Sequence, residues 1–188
     1  MTMLRRLIFH FVVLSAFPLL PTFAQQTVSQ SESSAAPEMQ RLAQVLVGDW
    51  NNVETMEASE RFPHGAQRQG TSHCGLGTGG TTLVCQGSSD GSAGKLDHLI
   101  VIWWDKDAKN YGFFICFKDW GSGCEVRGSA HWEGNEFVND YTEGVKDKPA
   151  KMRDKFTDIA PNSHTLIAAI EAADGKMKTV ITTRSSRR

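Results

Sequence analysis

The chain has 188 residues, with 20 Lys and Arg against 21 Asp and Glu and a formal net charge of −1, which is one domain's worth of nearly neutral protein. That balance offers no basic stripe for nucleic acid, and the basic "RSSRR" at 184–188 reads as a solvated terminus. Four cysteines without a C-x-x-C pair argue for disulfides rather than a zinc site.

In "MTMLRRLIFHFVVLSAFPLLPTFAQQ", Arg5 and Arg6 precede an apolar run over 7–20, and "TFA" puts small residues at the cleavage positions. This predicts a signal peptide over 1–24, cut after Ala24, and a periplasmic or secreted protein. Pro18 and Pro21 break the run, which is short for a membrane span, and no later stretch is apolar enough to cross a bilayer. No Cys follows the cleavage site, so a lipoprotein route has no acceptor thiol. Residues 25–36, "QQTVSQSESSAA", are polar and small and predict a disordered linker, leaving 37–188 as the folded domain.

"PEMQRLAQVLVG" predicts one short helix. Pro37 suits its first turn, Met39, Leu42, Val45 and Leu46 share a face, and Gly48 is placed to stop it in a left-handed conformation. From Trp50 the pattern becomes period-2 alternation broken by Gly, Asp, Asn and Pro. It predicts strands near 50–60, 67–75, 80–88, 96–105, 110–118, 123–133, 135–143, 150–159, 163–173 and 176–184. Over 123–133 the faces separate cleanly: Glu125, Arg127, Ser129, His131 and Glu133 on one, Cys124, Val126, Gly128, Ala130 and Trp132 on the other. About ten short strands with tight turns and no crossover helices predict an all-β antiparallel up-and-down meander, and closure into a barrel removes its two edges. The Gly-rich segments "GLGTGGTTLV" and "FKDWGSG" favour the short disulfides Cys74–Cys85 and Cys116–Cys124, each worth roughly 2.5–3 kcal/mol on a chain-entropy model.

A short helix followed by "GDW" at the head of such a meander resembles the lipocalin and calycin superfamily, whose mark is G-x-W at the first strand; Gly48 and Trp50 match it. The resemblance implies that Trp50 plugs the closed end and that an Arg late in the last strand, here Arg184, packs over its ring. "GGTTLVCQGSSDG", "WWDKDAKNYGFF" and "AADGKMKTV" further resemble a group of bacterial lipocalin-like domains of unknown function, over residues 38–184. That likeness implies a fold and imports no activity.

Chemistry is sparsely signalled. "DKDAKN" has loosely calcium-like oxygens but lacks the Gly and Glu of a calcium loop, and a polar turn explains it. There is no G-x-S-x-G, and adjacent Ser72–His73 and Ser163–His164 would sit on opposite strand faces. The mature histidines are His64, His73, His98, His131 and His164. A haem role would fall first on His98, with His73 and His164 behind it, and covalent attachment lacks its C-x-x-C-H. Five Trp residues, at 50, 103, 104, 120 and 132, read either as core or as an aromatic-lined pocket. Shared inward parity makes His98, Trp104, Phe114 and Trp132 the candidate ligand contacts. Against this, Tyr111, Phe113, Ile115 and Phe117 are the more apolar face of 110–118, and Cys116 must still reach Cys124. The leading expectation is an exported, non-catalytic binder of a small, mostly apolar or aromatic ligand, with no cofactor. An envelope interaction or stress module with a filled barrel, a calycin-type enzyme and a haem binder are the alternatives.

Overall fold

The computed structural model describes residues 35–60, 62–118, 123–124, 126–143 and 149–188. The signal peptide over 1–24 and nearly all of the linker lie outside the described residues, as does Trp120. Helix α1 (Pro37–Leu46) leads into ten strands: β1 (Gly48–Met56), β2 (Ala66–Gly77), β3 (Thr82–Gly91), β4 (Leu96–Asp105), β5 (Asn110–Lys118), β6 (Val126–Glu133), β7 (Glu136–Glu143), β8 (Ala150–Ala160), β9 (Ser163–Glu171) and β10 (Met177–Arg187). Each strand pairs antiparallel with its sequence neighbour, and β10 pairs with β1, which closes the barrel. No helix among the described residues is long and apolar enough to cross a membrane.

Alternation divides the strands into inner and outer faces as period-2 geometry requires. On β5, Tyr111, Phe113 and Ile115 are buried while the residues between them are half-exposed. On β6, Val126 and Ala130 are buried, and Arg127, Ser129 and Glu133 are exposed. Both short disulfides form. Cys74 and Cys85 face each other directly across β2 and β3. Cys116 bonds Cys124, which lies in the turn before β6 and is therefore free of that strand's alternation. This reconciles an outward Cys116 with the inward apolar face of β5. The calcium-like "DKDAKN" is a turn in which Asp105 Oδ1 accepts from the backbone N–H of Asp107 and Ala108 at 3.0 and 2.9 Å.

The two ends of the barrel differ because α1 covers only one. Met39, Leu42 and Leu46 bury one face of the helix into the core, together with Trp50. The helix is not stopped by a left-handed Gly48; it ends at Leu46 with Val47 already extended. Gly48 instead opens β1 at φ 141°, and a Cβ there would run into the Arg187 guanidinium. Arg187 lies over the Trp50 ring, 4.4 Å from its centroid, and donates to the carbonyls of Val47 at 2.8 Å and Pro161 at 3.1 Å. Trp50 Nε1 donates to the Leu46 carbonyl at 2.9 Å.

The arginine over the Trp is thus Arg187, and the expectation of Arg184 is corrected. Strand β10 runs three residues past the expected end, so Trp50 pairs with Arg187, while Arg184 pairs with Val53 and is exposed. The extension is polar in sequence but not in surroundings: Ser185 is buried and donates to Asn52 Oδ1 at 2.8 Å. At the other end, β1 stops at Met56, short of the expected residue 60, and the Glu57 N–H reaches the Val180 carbonyl at a bulge in β10.

Urea unfolding will separate the two arginines. Arg187→Ala should cost about 1–2 kcal/mol through the lost cation–π contact and charged hydrogen bonds. Arg184→Ala should stay within about 0.5 kcal/mol of the parent. Equal costs for the two would remove Arg187 from this role.

Candidate functional site

Inward side chains near the hairpins β4–β5 and β6–β7 pack solidly under α1. Tyr111 meets Trp104 at 5.0 Å and Phe137 at 5.1 Å between ring centroids, both edge-on, and Trp132 lies 5.1 Å from Phe137. The Tyr111 hydroxyl donates to the Glu38 carbonyl at 2.8 Å and accepts from Trp132 Nε1 at 3.1 Å. The Arg41 guanidinium sits 3.9 Å over the Trp132 ring. This aromatic cluster fills the closed end.

Beyond it the barrel is hollow. A cavity of about 690 Å³ has Leu46 and Trp50 at its floor and extends to the β1–β2 connection, where Glu57, Glu60 and Phe62 line it. That volume is within the usual range for small-molecule sites. Much of the wall is apolar, with Ile100, Ile115, Met152, Phe156, Leu166 and Ile170 from four strands, and the Cys74–Cys85 disulfide faces in.

Of the four candidate contacts, His98 lines this cavity; Trp104, Phe114 and Trp132 do not. Trp104 and Trp132 have inward parity but lie at the level of the aromatic cluster. Phe114 is on the outer face of β5, with Arg127 above its ring at 5.2 Å, because the inward residues of that strand are Phe113 and Ile115. Of the other histidines, His73 is outside, paired with Asp49 at 2.9 Å. His164 is inside, buried 4.5 Å edge-on from Trp50.

The cavity also holds polar groups that sequence reasoning missed. On the β1–β2 wall, Arg68 bonds Glu54 through Nε at 2.9 Å and Nη2 at 2.8 Å, and both side chains are buried. Asn52 Nδ2 donates to Ser72 Oγ at 3.0 Å beside them. On the β7–β8 wall, Tyr141 donates to Asp154 Oδ1 at 3.1 Å, and Asn139 pairs across the strands with Asp154. The signal available in sequence is a polar residue flanked two places either side by large apolar ones. Asp154 lies between Met152 and Phe156, and Asn139 between Phe137 and Tyr141.

Burial sets the ionisation of these groups. Burial holds His98 below the usual histidine range, and a nearby Glu54 charge only partly offsets it. Burial pushes His164 down to about 4, assisted by the Arg187 charge. Burial pushes Asp154 up to about 7, against the lowering effect of the Tyr141 hydrogen bond. The Tyr141 hydroxyl is itself raised by burial and by the Asp154 charge.

The closed ten-stranded antiparallel barrel, with an N-terminal helical cap and an open, lined interior, is a fold of the calycin-like kind. Solved structures from M. tuberculosis and Guillardia theta share the fold. Rv2717c from M. tuberculosis matches with a TM-score of 0.56 at 12% identity, covering 82% of this chain and 99% of that one. The S-type phycobiliprotein lyase CPES from Guillardia theta matches at 0.55 and 11% identity, covering 80% and 90%. A redesigned β-barrel, mFAP0, bound to DFHBI, matches at 0.42 and 17%, covering 76% and 99%. No family model and no curated protein matches the sequence. At such identities the likeness is one of fold.

His164 makes stability fall on acidification. Its folded value near 4 lies below the unfolded 6.5, so its contribution is full above 6.5 and is lost as pH falls toward 4. Complete loss amounts to roughly 3 kcal/mol. Replacing it, as in His164→Gln, should flatten the acid limb of unfolding free energy against pH relative to the parent. An unchanged limb would show that the imidazole is not the group responsible.

Proposed function

We propose that the protein is an exported, non-catalytic binder of a small, mostly apolar or aromatic molecule held inside the barrel, of the bacterial lipocalin-like kind that its motifs resemble. The observation that carries this reading is the open cavity of about 690 Å³ with its largely apolar wall above Trp50. A filled barrel serving only as an interaction module has no use for such a space. The engagement of Glu54 by Arg68, rather than by His98, supports binding over acid–base catalysis. The N-terminal 1–24 pattern and the two disulfides, Cys74–Cys85 and Cys116–Cys124, support export to an oxidising compartment. His98 is the contact proposed from the first set of candidates, joined by Ile115, Met152 and Leu166.

Titration with 1-aminoanthracene, followed by its fluorescence, tests this. Saturable one-site binding with a Kd on the order of micromolar is expected. Ile115→Trp, which fills the cavity, should weaken it by at least about tenfold, His98→Ala by a few-fold, and Phe114→Ala not at all. Absence of saturable binding, or a Phe114→Ala loss equal to that of Ile115→Trp, contradicts the proposal.

A further inference from the structure

The β7–β8 wall carries a chemical demand that the protein does not meet from its own described side chains. Asp154 is only 7% exposed and lines the cavity. Among the described residues its hydrogen-bond partner is Tyr141, and no Lys, Arg or His forms an ion pair with it. Directly across the ladder, Asn139 is 6% exposed, and its Oδ1 has no hydrogen-bond partner among the described residues. A buried carboxyl without a cation is costly when ionised, and a buried amide oxygen without a donor adds to that cost. Both groups are acceptors, and the Tyr141 oxygen, which donates its proton to Asp154, keeps lone pairs to accept with.

The charge along the cavity has the same sign. Glu54 and Arg68 neutralise each other. Among the remaining described lining residues, Glu57, Glu60 and Asp154 stand against Lys178, with His98 and His164 held neutral by burial. Such a cavity draws in cations and disfavours anions.

We infer that the ligand carries a protonated primary amine on its apolar body, with Asp154 as counter-ion and Asn139 and Tyr141 as the flanking acceptors. An ammonium group has three N–H donors and no acceptor, which suits three acceptors on one patch. A carboxylate or phosphate head would meet like charge there. The inference rests on the reading of the barrel as a binder and specifies what it binds.

The groups that face Asp154 decide its pH behaviour. They are Tyr141 and Glu143 on β7, the uncharged Ala168 opposite it on β9, and the apolar Met152 and Phe156 two places away on β8. With Asp154 near 7 in the unliganded barrel, an alkylammonium, charged up to about pH 10, binds to the carboxylate form and displaces its proton. Preference for an amine therefore strengthens as pH rises through 7 and fades below it.

Displacement of 1-aminoanthracene by decylammonium, 1-decanol and decanoate separates the possibilities. At about pH 8 decylammonium should displace the probe at a concentration roughly tenfold or more below that of decanol, with decanoate the weakest. At about pH 5 that advantage should shrink to within about twofold. Asp154→Asn, which keeps the shape and removes the charge, should equalise amine and alcohol while leaving decanol displacement intact. If that variant does not retain the probe, the pH series on the parent protein decides. Equal displacement by amine and alcohol at about pH 8, an advantage that ignores pH, or one that survives Asp154→Asn overturns the inference while the binder reading stands. Failure of the parent to bind 1-aminoanthracene overturns both.

Discussion

The structure depends on how one indole is held. Trp50 is 1% exposed, and its contacts come from opposite ends of the chain: the Leu46 carbonyl below, the Arg187 guanidinium above and His164 at its edge. Arg187 comes from the last strand, and its pairing with Trp50 is part of the ladder that closes the barrel. Helix capping, strand closure and the floor of the cavity are therefore parts of one contact. Gly48 belongs to it as well, because a side chain there would occupy the place of the guanidinium.

From that floor upward the interior divides in two. Below and beside Trp50, under α1, the rings of Trp104, Tyr111, Trp132 and Phe137 interlock in edge-on and tilted contacts and exclude space. Above it the inward residues are mostly aliphatic, small or polar, with Phe156 among them, and leave the barrel open. The division gives the protein a packed end that fixes the barrel and a hollow, receptive end with room for a guest. The polar groups of the receptive end occupy opposite walls. The Glu54–Arg68 pair satisfies itself. Asp154 and Asn139 do not find a cation or a full set of donors among the described residues, and this asymmetry gives the cavity its chemical direction.

Much of the fold was legible in the sequence, because period-2 alternation and turn chemistry are local. The ten strands, the short helix and both hairpin disulfides follow from it. The site was less legible, for two physical reasons. Alternation says whether a side chain points in, but not how far along the barrel axis it lies; this is why Trp104 and Trp132 point inward yet belong to the plug. It also fails where a distant constraint is imposed on the wrong strand. A strand over 123–133 would give Cys124 the inner face and, through the disulfide, turn Cys116 and Phe114 inward, whereas Cys124 precedes β6 and leaves both outward. The polar lining escaped notice because Asn139 and Asp154 look like surface residues until their apolar neighbours at ±2 are read with them. Arg187 escaped because Ser185 and Ser186 make the end of β10 look like a tail.

The central claim is that the barrel is hollow above Trp50 and that a guest reaches that space. Methyl NMR of the protein with 1-aminoanthracene tests it most directly. The account predicts intermolecular NOEs from the probe to methyls of Ile100, Ile115, Met152 and Leu166 on the cavity wall. NOEs confined to the exposed Val53 and Leu76, with the wall methyls silent, would contradict it.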